Sequence, residues 1–215
     1  MQRKLLAEGL GTLMLVMCGI GTGIMGVNLA SGNMAIALFA NAFATGLILY
    51  LLITVLGPIS GAHLNPAVTL FFALRREISV GLALSFVAAQ ATGALLAVAL
   101  THAMFGQDIL QFATTPRTGS ALWLSEGVAT FGLMFTILGG LRHAPAQVPA
   151  LVGAWIAAAF WFTGSASFAN PAVTLARAFS DTFTGIRPAD APAYMAAECA
   201  AAALAAWVSP KLFPR

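Results

Sequence analysis

The 215-residue chain is 60% hydrophobic and only 8% charged, with a mean hydropathy of +0.90. Soluble domains carry about 25% charged residues, so this chain has too few charges to cover a soluble surface. A nucleic-acid binder, a disordered protein and a disulfide-stapled secreted domain are excluded. The net charge of +3 is scattered between apolar runs. The composition predicts an integral membrane protein.

Six apolar runs follow in chain order, each near the ~20 residues that a transmembrane helix needs. They are continuously apolar, whereas the strands of a membrane barrel would alternate. The predicted spans cover residues 5–27, 34–56, 81–103, 121–141, 148–164 and 191–209. The first is not a cleavable signal peptide, since it is span-length and contains Glu8. We therefore expect an all-α membrane protein with one transmembrane domain over residues 1–215.

The positive residues predict the orientation. An even number of spans puts both termini on one side of the membrane. That side then carries Arg3, Lys4, Arg75, Arg76, Arg142, Lys211 and Arg215, and the other side carries Arg117, Arg177 and Arg187. Because Lys and Arg concentrate on the cytoplasmic side, we expect both termini to be cytoplasmic.

The chain contains an internal repeat. Residues 65–70 and 170–175 both read Asn-Pro-Ala-Val-Thr-Leu, and Ala-Glu-Gly-Leu-Gly-Thr at 7–12 resembles Ser-Glu-Gly-Val-Ala-Thr at 125–130. Each half, about 1–105 and 118–215, therefore holds three spans. Because three is odd, the halves insert with opposite topology, the inverted-repeat arrangement that places a site at the bilayer midplane.

Each repeated motif opens an apolar run too short to span the membrane. The motif residues are Asn65, Pro66 and Ala67 in the first half and Asn170, Pro171 and Ala172 in the second. The runs at 66–74 and 171–179 would each be ~13 Å long as helix. Asn is a good N-cap and Pro is favoured at the first helical position. The pattern predicts two loops that dip into the membrane, each followed by a half-helix running back out.

The two half-helices should meet N-terminus to N-terminus at the midplane. Each N-terminus carries roughly half a positive charge, and the amides of Asn65 and Asn170 add donors. Irregular backbone at that depth is tolerated only beside protein or a watery cavity, so we expect the loops 60–64 and 164–169 to line a pore with carbonyl oxygens. Such a pore repels cations and accepts neutral hydroxylated solutes, which predicts a passive channel.

These residues resemble the aquaporin superfamily, the major intrinsic proteins, over essentially the whole chain. The resemblance rests on the duplicated Asn-Pro-Ala, the Ser-Gly-Ala-His-Leu-Asn-Pro-Ala-Val-Thr string at 60–69, and Glu8 and Glu126 in spans one and four. It implies six transmembrane helices with two re-entrant half-helices. It also implies a homotetramer in the lipid bilayer, with one pore per subunit for water and small neutral solutes.

The resemblance also implies a constriction formed by Thr45, Ala158, Ser167 and Val173. The family nearly always has arginine directly after the second Asn-Pro-Ala, and this chain has Val173. Small, uncharged side chains there predict a wide pore for glycerol-like polyols. The string Asn-Pro-Ala-Val-Thr-Leu-Ala-Arg at 170–177 resembles a bacterial branch associated with arsenic resistance. That branch implies a bacterial inner membrane and adds arsenite and methylated arsenicals to the expected solutes.

Several polar residues admit two interpretations. Arg177, one turn beyond Val173, overhangs the outer vestibule or pairs with Asp181. His63 faces the pore mouth or packs within its loop.

Intramembrane carboxylates also remain ambiguous, because such groups are costly in a bilayer and often functional. Glu8 and Glu126 accept hydrogen bonds from the loops as scaffold, or they couple protons. Glu198 has no partner in the repeat.

The sequence predicts no cofactor and no enzyme. The three histidines and two cysteines have no metal-ligand spacing, and no nucleophile–base pair is visible. A water-selective aquaporin and a proton-coupled secondary transporter remain the alternatives to a solute channel.

Overall fold

The computed structural model describes residues 1–213, over which all regular structure is helical. The helices are α1 (Gln2–Leu29), α2 (Met34–Ser60), α3 (Pro66–Leu74), α4 (Val80–Met104), α5 (Ser120–His143), α6 (Val148–Phe162), α7 (Pro171–Arg177) and α8 (Ala191–Leu212), with a 3-10 turn at Pro145–Gln147. Arg215, counted above in the charge asymmetry, lies outside the described residues.

The predicted fold class is confirmed. Six helices are long and apolar enough to cross a membrane, and they coincide with the six predicted spans to within a few residues. The half-helix α3 has its predicted bounds, whereas α7 ends two residues earlier than expected. The reason is that the Arg177 and Ala178 carbonyls accept the N–H groups of Ile186 and Ala113, so the chain turns there.

The two halves interlock through their short helices. Helix α1 packs against α2 and α4, and α5 packs against α6 and α8, while α2 and α6 join the halves. Helix α3 contacts α8, α7 contacts α4, and α3 and α7 contact each other. Each half-helix therefore packs against the last long helix of the other half, which fixes both at the centre of the bundle.

The outside of the bundle is apolar. On α2, four exposed side chains recur every fourth residue: Phe39, Phe43, Leu47 and Leu51. This spacing places them on one helix face. A face of this kind suits lipid tails or a neighbouring subunit, and it explains why α2 is hydrophobic all round.

A close backbone crossing joins α2 to α6. A Cβ atom on Gly46 would lie 2.9 Å from the Gly153 carbonyl oxygen, so alanine there pushes the helices apart. We expect Gly46→Ala to cost about 1–3 kcal/mol of stability, as overpacking does. Thermal unfolding in detergent measures this cost. The control is Gly57→Ala on the same helix, where an added Cβ meets open space. Equal melting temperatures for the two variants would contradict the crossing.

Candidate functional site

The two re-entrant loops have an unusual backbone. Ala62 and Leu64 have φ of 47° and 49°, and Ser167 and Ala169 have φ of 49° and 48°. Left-handed backbone of this kind costs an L-residue roughly 1–2 kcal/mol. The surrounding structure must therefore hold both loops in place.

Two fully buried glutamates hold the loops. In the first half, Glu8 accepts the N–H groups of His63 at 3.0 Å and Leu64 at 2.7 Å, and also the Ser60 hydroxyl at 2.6 Å. In the second half, Glu126 is the acceptor. It accepts the N–H groups of Phe168 at 2.9 Å and Ala169 at 2.7 Å. Both carboxylates lie behind their loops, and neither lines the central cavity.

The glutamates also set the direction of the loop carbonyls. In a trans peptide the N–H and C=O groups point in opposite directions. Because the N–H groups face the glutamates, the carbonyls of the same peptides face away from them. These carbonyls belong to Ala62, His63, Ser167 and Phe168, residues that line the central cavity. The loops therefore present a series of hydrogen-bond acceptors to the cavity.

Asn65 and Asn170 join the two loops at the centre. Each caps its half-helix: Asn65 Oδ1 accepts from Ala67 N at 2.8 Å, and Asn170 Oδ1 accepts from Ala172 N at 3.0 Å. Asn65 Nδ2 donates to the Ala169 carbonyl at 2.7 Å, and Asn170 Nδ2 donates to the Leu64 carbonyl at 2.9 Å. One hydrogen of each amide thus bridges to the opposite loop. The second hydrogen is left for a solute.

A cavity of about 310 Å³ runs past both asparagines. At ~30 Å³ per water molecule, it has room for about ten waters. Its walls are mostly apolar side chains of the long helices. The polar side chains on the cavity wall are Thr45, His63, Asn65, Ser167, Asn170 and Arg177. A solute in this cavity can therefore form hydrogen bonds along one track, made by the loops and these few side chains.

Three of the four predicted constriction residues line this cavity. Thr45, Ser167 and Val173 are on its wall, and each is at least nine-tenths buried. Ser167 Oγ has no hydrogen-bond partner among the described residues, so its hydroxyl is available to a solute.

The placement of Ala158 on the channel wall is wrong. Ala158 is exposed on the outer surface of α6, and the cavity-facing residues of that helix include Ile156 and Phe160. Ala158 is two residues from each, about 200° around the helix. Counting back from Asn170 assumes a fixed length for the loop between α6 and α7. That length decides which residues of α6 face the cavity. The contact of Gly46 with Gly153 and Ala157 puts Ile156 level with Thr45, on the antiparallel α2.

Arg177 is buried against the channel. It lines the cavity and is only 5% exposed, with its guanidinium carbon 4.2 Å from the centre of the Phe168 ring. The pairing with Asp181 is wrong, because the Asp181 carboxylate accepts from Thr114 N and Oγ1 at 2.9 and 3.0 Å. The ion pairs within residues 1–213 are Arg75–Glu77 and Arg187–Asp190. The Arg177 charge therefore faces the channel without a carboxylate partner in this part of the chain.

Arg187 shows the contrasting case. Its Nη2 lies 2.9 Å from Asp190 Oδ1, and the other Asp190 oxygen accepts from Arg117 N at 2.9 Å. The hydrogen bond from Arg187 lowers the pKa of the Asp190 carboxyl below its ordinary value. Asp190 therefore stays ionised at neutral pH, and Arg187 is compensated outside the channel.

His63 both lines the cavity and packs against its own half-helix. Its ring stacks on Phe72 with the centroids 4.8 Å apart. Its Nδ1 lies 3.1 Å from Thr69 Oγ1. The ring is thus held by packing at the part of the channel on the side of the chain termini.

Gln90, which was not among the predicted site residues, lies fully buried on α4. Its Nε2 donates to Glu8 Oε2 at 2.8 Å and to Thr69 Oγ1 at 3.0 Å. A buried amide in an apolar span was a signal that could have identified it. Gln90 completes the set of donors around the Glu8 carboxylate.

Comparisons with known proteins agree with this geometry. Residues 1–167 match the family model for the major intrinsic proteins. The chain is 53% identical to "Aquaglyceroporin AqpS" of Rhizobium meliloti (strain 1021) over 196 residues, which cover 91% of this chain and 84% of that relative. It is 36% identical to "Nodulin-26" of Glycine max over 139 residues, 64% of this chain and half of that protein.

A solved structure has the same fold. The crystal structure of the aquaglyceroporin from Plasmodium falciparum superposes with a TM-score of 0.78 over 99% of this chain and 97% of that chain, at 18% identity. The match to the family model and the 53% identity show the family as well as the fold. The chain belongs to the major intrinsic protein family, a family of channels rather than enzymes, and is an integral membrane protein.

Proposed function

We propose that the protein is a passive channel for small uncharged solutes: water, glycerol-like polyols, arsenite and methylated arsenicals. The observation that carries the proposal is the meeting of two asparagine-capped helix N-termini in one cavity, each approached by a loop of outward-turned carbonyls. The name "Aquaglyceroporin" of the 53% identical relative supports the same class of solute.

The centre of the channel selects by charge. The N-termini of α3 and α7 each place roughly half a positive charge near the asparagines, so a cation meets an electrostatic barrier. A neutral hydroxylated solute instead exchanges its bonds to water for bonds to the loop carbonyls and the free amide hydrogens. Glu8 and Glu126 act as scaffold in this mechanism, since their oxygens hold the loop N–H groups behind the pore.

The constriction determines which neutral solutes pass. Thr45, Ile156, Ser167 and Val173 give it an uncharged wall, with no arginine directly after the second Asn-Pro-Ala. Arg177 supplies a positive charge one turn further along α7, ~6 Å away by helix rise. A solute therefore meets the guanidinium and the apolar opening at separate points. This separation suits solutes that combine hydroxyl groups with methyl groups, such as methylated arsenicals.

We also propose a homotetramer in a bacterial inner membrane, with both termini cytoplasmic. The asymmetry of Lys and Arg between the two ends of the bundle supports the orientation. The exposed apolar face of α2 supports contact with a neighbouring subunit or lipid.

Permeability measurements on proteoliposomes test the proposal. Stopped-flow light scattering follows water and glycerol, and uptake assays follow arsenite and a methylated arsenical. The proposal expects all four to pass faster than through empty liposomes. Water flux alone would favour the water-selective alternative.

Val173→Arg tests the constriction. The new guanidinium adds bulk and a permanent charge, one helical turn from Arg177. We expect permeation of methylated solutes to fall about tenfold, equivalent to about 1.4 kcal/mol of added barrier. Glycerol should fall less and water least. The assays above measure all three.

Val173→Met separates bulk from charge, because it adds length without a guanidinium. It should reduce methylated solutes less than Val173→Arg does. A Val173→Arg channel that passes the large solutes as fast as the parent would show that residue 173 does not form the constriction.

A further inference from the structure

Glu198 lies fully buried on α8. Its Oε1 accepts the Thr174 hydroxyl at 2.7 Å, whereas its Oε2 receives no donor from the described residues. A carboxyl oxygen without a donor is therefore buried in the interior of a membrane protein, beside the half-helix α7.

The first half of the molecule contains the arrangement that corresponds to Thr174 and Glu198. There Gln90, on the last long helix of its half, donates to Glu8 at 2.8 Å and contacts Thr69 at 3.0 Å. Thr69 and Thr174 are the matching threonines of the repeated motif. Glu198, also on the last long helix of its half, accepts from Thr174, and Glu126 corresponds to Glu8 in the repeat, so the repeat places Glu198 beside Glu126. Glu198 is therefore the counterpart of Gln90.

The two counterparts differ in chemistry. The Gln90 amide carries a donor at every pH, whereas a carboxylate has none. Both oxygens of Glu126 already accept loop N–H groups, and a carboxylate has no hydrogen to donate. Two ionised carboxylates in contact repel each other strongly at a buried site. A proton on Glu198 Oε2 would supply the hydrogen that the Gln90 amide supplies in the first half.

The neighbouring charges do not remove the need for this proton. The other titratable groups close enough to interact with the pair are Arg117, Arg177, Tyr194 and Cys199. Neither arginine forms an ion pair with Glu126 or Glu198 within residues 1–213. Arg117 instead donates to the carbonyls of Gly185 and Phe183.

We propose that Glu198 is a positioning residue that carries a proton, and that its hydrogen bond to Glu126 holds the second loop in its conducting form. When alkaline pH removes the proton, the like charges separate and Glu126 withdraws from the N–H groups of Phe168 and Ala169. The carbonyl track and Asn170 then lose their support, and permeability falls. The proposal rests on the channel function and is independent of which solute is physiological.

Water permeability against pH, with equal pH on both sides, tests the proposal. Documented buried glutamates release their proton near pH 8–9, so the range runs from about pH 6 to about pH 10. The parent channel should lose about fivefold or more of its permeability, the factor that roughly 1 kcal/mol produces. Glu198→Gln should keep its permeability across the range, because its amide donates without a titrating proton. A parent channel whose permeability is constant with pH would overturn the proposal.

Gln90→Glu provides the mirror experiment. It installs the same carboxyl pair behind the first loop, so it should match the parent near pH 6 and fall more steeply at alkaline pH. Thermal unfolding at each pH gives a second readout. The melting temperature of the parent should fall with pH relative to Glu198→Gln. Parallel pH profiles for parent and Glu198→Gln would overturn the proposal, whereas absence of water flux at every pH would contradict the channel function itself.

Discussion

Arg177→Gln should raise the leak of protons and potassium through the channel by more than tenfold. The Arg177 guanidinium lines the cavity and faces no carboxylate partner in the described part of the chain. At about 8 Å and an effective dielectric constant of about 20, a unit charge repels a cation by ~2 kcal/mol. Glutamine removes this charge and keeps a polar, although shorter, side chain. A pH-sensitive dye in proteoliposomes measures the proton leak, and planar bilayers measure the potassium current.

Two further variants isolate the effect of position. Arg177→Lys keeps the charge and should keep cation exclusion. Arg187→Gln removes an arginine that is paired with Asp190 outside the channel, and it should leave the leak unchanged. If Arg187→Gln leaked as much as Arg177→Gln, the general surface charge would be responsible rather than a charge on the channel wall.

Glu8→Leu should lower the stability of the protein by several kcal/mol, the largest such loss expected. Leucine leaves the N–H groups of His63 and Leu64 without an acceptor, at ~1–3 kcal/mol for each buried group. The Ser60 hydroxyl and the Gln90 amide also lose their acceptor. Expression level and thermal unfolding in detergent measure the effect, and we expect little folded protein.

Glu8→Gln is the matched control. Its amide oxygen keeps an acceptor behind the loop, so the variant should fold and retain most of its solute permeability. A proton-coupled transporter would behave differently, since glutamine cannot exchange a proton. A well-folded Glu8→Gln protein that has lost all transport would therefore support proton coupling.

The helices were predictable because their signals are local or repeated. Each span is a continuous apolar run, and the duplicated Asn-Pro-Ala marks both half-helices and their relation. The early end of α7 was not predictable, because it depends on two residues outside the motif, Ile186 and Ala113, whose N–H groups bond to the carbonyls of Arg177 and Ala178.

The site residues were harder to predict where helix register or hydrogen-bond partners determine which side chain reaches the cavity. Counting residues placed Ala158 on the channel, but the packing of α6 on α2 turns Ile156 inward instead. Sequence proximity paired Arg177 with Asp181, but Thr114 occupies that carboxylate. Glu198 had no visible partner, because its counterpart Gln90 differs in residue type and does not fall at the spacing of the motif repeat.

Glycerol uptake under an imposed pH gradient tests the central claim most directly. Proteoliposomes are loaded at one pH, diluted into glycerol at another, and followed by light scattering and by current. A passive channel for neutral solutes predicts a rate linear in the glycerol gradient, equal inside and outside concentrations at the end, and no glycerol-dependent current. Accumulation of glycerol above the outside concentration, driven by the pH gradient, would contradict the account.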